Sequence, residues 1–138
     1  MTTAKRFEEL DVWQHAKELT NLIYRLSSTG SFARDFGLRD QMRRAAVSIM
    51  SNIAEGFESQ TQVLFMQFLS RAKGSAGELR AQLYVALEQE YITSSEFESA
   101  RTLAELCSKQ LASFIRYLES QPNARRVRED GADYDIQH

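Results

Sequence analysis

A single proline, Pro122, occurs in 138 residues, and it falls close to the C-terminal end. Proline lacks an amide donor and breaks a helix from within at a cost of about 3 kcal/mol or more. A stretch of 121 residues without one is therefore free to form long helices, and it argues against a loop-rich all-β chain. Four segments use that freedom. Val12, Ala16, Leu19, Ile23 and Leu26 recur at spacings of three and four, the mark of a core-facing helical stripe. Ser27-Ser28-Thr29-Gly30-Ser31 breaks it. Leu38, Met42, Ala45, Ala46, Ile49, Ile53 and Phe57 make a second stripe from about Gly37 to Glu55-Gly56, where Gly56 is expected to act as a C-terminal cap. The third and longest opens near Thr61 and carries Phe65, Phe68, Leu69, Ala72, Ala76, Leu79, Leu83, Ala86 and Leu87. The fourth starts with Thr93 followed three residues later by Glu96, a capping-box spacing, and continues through Phe97, Ala100, Ala104, Cys107, Leu111, Phe114 and Leu118. The fold class predicted is all-α: an antiparallel, up-down-up-down four-helix bundle over residues 1–121, followed by a polar tail over 122–138.

Composition narrows the function classes. A chain of this length buries enough surface to need no disulfide or metal staple, and one cysteine cannot form an internal bridge, which suits a reducing cytoplasm. No apolar stretch follows Lys5-Arg6, so no secretory leader is expected. The longest apolar run, Val63 to Leu69, is far short of the roughly 20 residues a membrane span requires. The formal charge of −2 shows that the whole chain is no polycation. From Leu38 to Arg80, however, six bases (Arg39, Arg43, Arg44, Arg71, Lys73 and Arg80) outnumber four acids. In one copy such a patch can be a solvated, salt-bridged face. Repeated in an oligomer it could hold a polyanion by summed phosphate contacts.

Chemistry at a site finds little support. Cys107 lies on a core stripe, His15 on a polar flank, and His138 near the end, so no nucleophile has a base beside it. Glu-x-x-His is absent, Glu90 alone among the carboxylates lies near a core row, and Gly74-Ser75-Ala76-Gly77 matches no phosphate-cradling loop. No catalytic residue, metal or cofactor is expected. Glycine inside a helix costs about 1 kcal/mol relative to alanine, so Gly74 and Gly77 are read as a close helix crossing. Apolar residues also lie beyond one stripe. Leu10, Trp13, Lys17, Thr20 and Tyr24 form a second row on the first helix, with Arg43, Val47, Met50 and Ala54 on the second and Met66, Lys73, Arg80, Tyr84 and Tyr91 on the third. Scattered surface apolar groups are ordinary. Aromatic residues, Met and Arg are also the types enriched in protein interfaces, which makes Trp13, Tyr24, Val47, Met50, Met66 and Tyr84 candidates for contact with copies of the same chain.

The run from Leu38 to Gly56, with Arg43-Arg44-Ala45-Ala46-Val47-Ser48-Ile49-Met50-Ser51-Asn52-Ile53-Ala54-Glu55-Gly56 at its centre, resembles the signature of the bacterial four-helix-bundle proteins first noticed as reading frames in intervening sequences of 23S rRNA genes. Phe7-x-x-Leu10-x-Val12-Trp13-Gln14-x-Ala16, Phe36-Gly37-Leu38 and Gly74-Ser75-Ala76-Gly77-Glu78-Leu79 agree with it, and the resemblance spans about Phe7 to Leu118. The matched polar positions are Arg43, Arg44, Ser48, Ser51, Asn52 and Glu55, followed by Gly56. Ala33 and Met50 stand where relatives commonly keep proline, and Phe57-Glu58-Ser59-Gln60 where many carry a base. The resemblance implies a homo-oligomeric ring of five. The resemblance also implies a relation to the accessory variability determinant proteins of diversity-generating retroelements, a group that looks like a basic pentamer binding nucleic acid and a reverse transcriptase. Two readings stay open: a non-enzymatic cytoplasmic ring that binds RNA or DNA through the six bases, or a scaffold that docks a partner protein, with the bases serving internal pairs.

Overall fold

The computed structural model describes residues 4–121. The expected polar tail, with Pro122, lies outside the described residues. Among them there are helices and no strand: a 3₁₀ turn at Phe7–Glu9, then α1 (Asp11–Leu26), α2 (Gly30–Arg34), α3 (Phe36–Glu58), α4 (Gln62–Glu88) and α5 (Ser94–Glu119). The four long helices are the four periodic segments. The starts of α3, α4 and α5 are set by side chains that accept otherwise unpaired amides, whereas α1 begins at Leu10 with no side-chain cap. Asp35 Oδ1 accepts from the Leu38 N–H at 3.1 Å and Thr61 Oγ1 from the Leu64 N–H at 3.1 Å. At α5 the capping box is present on both sides: the Glu96 N–H donates to Thr93 Oγ1 (3.1 Å) and the Thr93 N–H to Glu96 Oε1 (2.8 Å).

The stripes close on one another. α3 packs on α4, α4 on α5, and α1 on both α3 and α5, which makes a cycle of four neighbours around one core. The 3₁₀ turn lies against α1 and α3. Alanines 45 and 46 on α3, 72 and 76 on α4, and 100 and 104 on α5 are all buried, with Leu19, Ile23, Ile49, Ile53, Phe65, Leu69, Leu79, Leu83 and Leu111 filling the space between helices.

Two glycine expectations reverse. Gly56 is no cap: α3 continues to Glu58, and Gly30 is the glycine with a positive φ (64°) among the described residues. Gly56 is small because α4 begins against it. A Cβ there would sit 2.9 Å from Phe65 Cδ1 and 2.9 Å from Phe68 Cβ. Gly74 and Gly77, expected at a crossing, meet nothing within 4 Å inside the chain. They occupy the outer line of α4, opposite its buried stripe. Glu90 also differs from expectation: it is exposed and turns the chain at φ 62°, so that the Tyr91 N–H donates to the Ala86 carbonyl (2.9 Å).

The break after α1 contains a helical turn that periodicity does not reveal, because α2 has five residues. Its Phe32 is 1% exposed and stacks on Tyr91 with centroids 5.3 Å apart. The Tyr91 hydroxyl donates to Asp35 Oδ2 (2.9 Å), so the carboxylate that caps α3 also ties down the α4–α5 connection. That bond favours the protonated phenol and raises the Tyr91 pKa above its ordinary value.

Two outcomes follow. Gly56→Ala lowers the urea-unfolding free energy by about 1–3 kcal/mol through overpacking, whereas Gly74→Ala and Gly77→Ala, measured at concentrations where single copies prevail, each raise it by about 0.5–1 kcal/mol. Because the Tyr91 pKa is higher folded than unfolded, its contribution is present below the unfolded pKa of about 10 and is lost as pH rises through the folded value. Unfolding measured from pH 8 to 12 shows that alkaline fall, and Tyr91→Phe flattens it.

Candidate nucleic-acid interface

The matched run on α3 divides by direction. Arg43, Ser48, Asn52 and Gly56 turn toward other parts of the chain. Arg43 Nε donates to Ser27 Oγ (2.9 Å), and its Nη2 reaches the Ser27 carbonyl and Ser28 Oγ, both at 3.3 Å. Its guanidinium carbon lies 4.4 Å from the Tyr24 ring centroid, within cation–π range. Arg43 therefore ties α3 to the end of α1. Ser48 Oγ and Ser75 Oγ share a hydrogen bond at 2.9 Å, linking α3 to α4, while Asn52 Nδ2 donates to the Ser48 carbonyl (2.8 Å) and Ser48 Oγ (2.9 Å). Arg44, Ser51 and Glu55, spaced at seven and four residues, fall on one line of the helix and are exposed.

The six candidate bases do not form one patch. Arg39 pairs with Asp40 (2.9 Å), donates to the Ala33 carbonyl (3.0 Å) and lies over Phe36. Arg80 reaches Glu105 of α5 (3.5 Å), whose other oxygen receives Arg101 (2.8 Å), and Arg80 Nε is buried without a partner. Lys73 is exposed one heptad before Arg80, on that same flank of α4. Arg71 lies over Phe68 and borders a different groove, with Val63, Met66 and Gln67 of α4 and Ile115 of α5. Arg43 and Arg44 do come together. They line an open groove of about 600 Å³ with Tyr24 of α1, Gln41, Val47 and Ser48 of α3, and Glu78 of α4. Among the described residues, Arg44, Arg71 and Lys73 make no ion pair with a carboxylate. Gln41 was not singled out from the sequence, although it sits one helical turn before Arg44.

The candidate interface residues separate as well. Tyr24, Val47 and Tyr84 are exposed. Trp13, Met50 and Met66 are partly buried against the chain's own core. Trp13 is met edge-on by Phe7 at 5.2 Å and by Lys17 Nζ at 5.8 Å. In the same row Leu10 and Thr20 are buried, and the Thr20 hydroxyl lies 2.8 Å from the Ala16 carbonyl and 3.2 Å from that of Ala46, so this row belongs mostly to internal packing. The 3₁₀ turn brings Phe7 over it, a reversal that helical periodicity does not contain.

Burial pushes the Cys107 thiol up to about 12, with the Glu18 charge adding to the effect, so the thiolate needed for nucleophilic attack is strongly disfavoured. His15 is half-buried, where a solvated flank was expected, and its Nδ1 lies 2.9 Å from Gln110 Oε1 of α5. Among the described residues no group of three His, Cys, Asp or Glu is gathered as a metal site would require, and no helix is long and apolar enough to cross a membrane.

Helices around one core, with a polar run on α3 as the joint between α1 and α4, define the class of this protein, and comparison with known families agrees. The profile of the family described as 23S rRNA-intervening sequence protein matches residues 8–113, and the chain belongs to that family. A similar solved structure is a protein of unknown function from the S23 ribosomal protein family of Bacteroides thetaiotaomicron VPI-5482. It is 27% identical, with a TM-score of 0.69 over 75% of this chain and 97% of that one. No curated protein matches significantly.

Arg43 and Arg44 are adjacent in sequence but differ in task. Arg43→Ala is expected to lower the urea-unfolding free energy by about 1–3 kcal/mol, since it removes charge-assisted hydrogen bonds and the Tyr24 contact. Arg44→Ala stays within about 0.5 kcal/mol of the parent, as exposed substitutions do.

Proposed function

We propose that this chain is a non-catalytic binding protein that assembles as a homo-oligomeric ring, pentameric as the family resemblance implies, and holds RNA or DNA through its basic residues. In this reading the four long helices alternate up and down around the core. The observation that carries it is the groove at Arg43 and Arg44. One guanidinium is held there by neutral oxygens and the other is exposed without an ion pair, against one lining carboxylate, Glu78. A ring repeats that net positive charge, and summed phosphate contacts can then exceed what one copy offers. Self-association is supported by the outer line of α4. Val63, Ser70, Gly74, Gly77, Ala81 and Val85 are exposed there, without charge, and small at the centre. Such a line lets another helix approach closely.

A scaffold that docks a partner protein is the second reading, and the Arg39–Asp40 and Arg80–Glu105 pairs favour it. Two measurements separate them. Light scattering is expected to give five times the 15.8 kDa chain mass, and a monomer would contradict the ring. Fluorescence anisotropy with labelled RNA is expected to give a micromolar or tighter Kd in about 50 mM salt that weakens tenfold or more by about 200 mM. Arg44→Glu should weaken it further. Absence of binding at low salt contradicts the nucleic-acid reading and leaves the scaffold.

A further inference from the structure

The groove holds more than charge. Arg43, held by Ser27 and Ser28, lies over the Tyr24 ring, 4.4 Å from its centroid, and Tyr24, 41% exposed as a residue, borders the groove. The volume, about 600 Å³, falls within the range of roughly 300–1,000 Å³ typical of small-molecule sites. The same groove is lined by Gln41, whose amide both donates and accepts, the Glu78 carboxylate, which accepts, and the exposed Arg44. A patch that only followed a duplex backbone would need the cations alone. An aromatic surface with an amide and a carboxylate beside it suits an unpaired base, whose flat face stacks on tyrosine and whose edge offers N–H and C=O groups. In a duplex those base faces are hidden by stacking.

We infer that this groove binds one unpaired nucleotide of a single strand, with the base against Tyr24, its edge toward Gln41 and Glu78, and the flanking phosphate on Arg44. The inference rests on the nucleic-acid reading above and narrows it from nucleic acid in general to single strands.

The test compares a labelled, unstructured single-stranded RNA with a blunt duplex of equal length, by anisotropy on the intact protein at one low ionic strength. The single strand is expected to bind about tenfold tighter. Tyr24→Ala should lower its affinity about tenfold, to the level of the duplex, with little effect on the duplex, while Tyr24→Phe, which keeps the ring, should match the parent. Far-UV circular dichroism checks that each variant is folded. If Tyr24→Ala does not fold, the exposed Gln41→Ala decides: loss of single-strand preference supports the inference and its retention overturns it. Equal binding of both RNAs overturns the inference and keeps the broader reading. Failure of both to bind overturns the two together.

Discussion

The close approach of α3 to α4 at Gly56 is the constraint on which the other contacts rest. With no Cβ at that position, Phe65 and Phe68 reach the backbone of α3 at the point where the chain has just turned. Phe65 is fully buried and meets Phe57 edge-on at 6.3 Å and Phe114 at 5.2 Å, so the same ring joins α3, α4 and α5. From that end the two helices stay in contact, and the Ser48–Ser75 hydrogen bond lies further along the same seam. A hydroxyl pair can sit in such a seam because each oxygen has a partner there, and Asn52 supplies a further donor to Ser48.

Once α3 is fixed on α4, its remaining polar residues have little choice of direction. Arg43 faces the end of α1, where the chain after Ile23 offers hydroxyl and carbonyl acceptors in place of a carboxylate. Its charge is held but not neutralised. Arg44, one position on, is rotated outward by about 100° and meets solvent. The helix thereby turns two adjacent arginines into one anchor and one free cation, and the Tyr24 ring lies beside them. The acids follow the opposite pattern on α5, where Glu98 and Glu105 both bind Arg101, and Glu105 also reaches Arg80 of α4. This network pairs one of the six candidate bases, Arg80, with a carboxylate.

The long helices were legible because each carries a stripe at three- and four-residue spacing over several turns. What escaped depended on contacts between distant segments. Gly56 near the end of a stripe looks like a cap, and only the positions of Phe65 and Phe68 show that it is a packing site. The outward placement of Gly74 and Gly77 could have been noticed, since the stripe through Leu69, Ala72, Ala76 and Leu79 points away from them. α2 is too short for a period, and Phe32 stacks on Tyr91, 59 residues later. Of the candidate site, the matched run located Arg43, Arg44 and Ser48, whereas the division of the six bases over separate surfaces needed the helix arrangement.

The central claim is that the α3–α4 seam, closed at Gly56 and joined further along by the Ser48–Ser75 hydrogen bond, holds the run in place and so decides which of its residues reach solvent. A double-mutant cycle on Ser48 and Ser75, read by urea unfolding of the parent, Ser48→Ala, Ser75→Ala and the double variant, tests it most directly. A coupling of about 1 kcal/mol is predicted for this pair. Strict additivity, with no coupling between the two substitutions, would contradict the account.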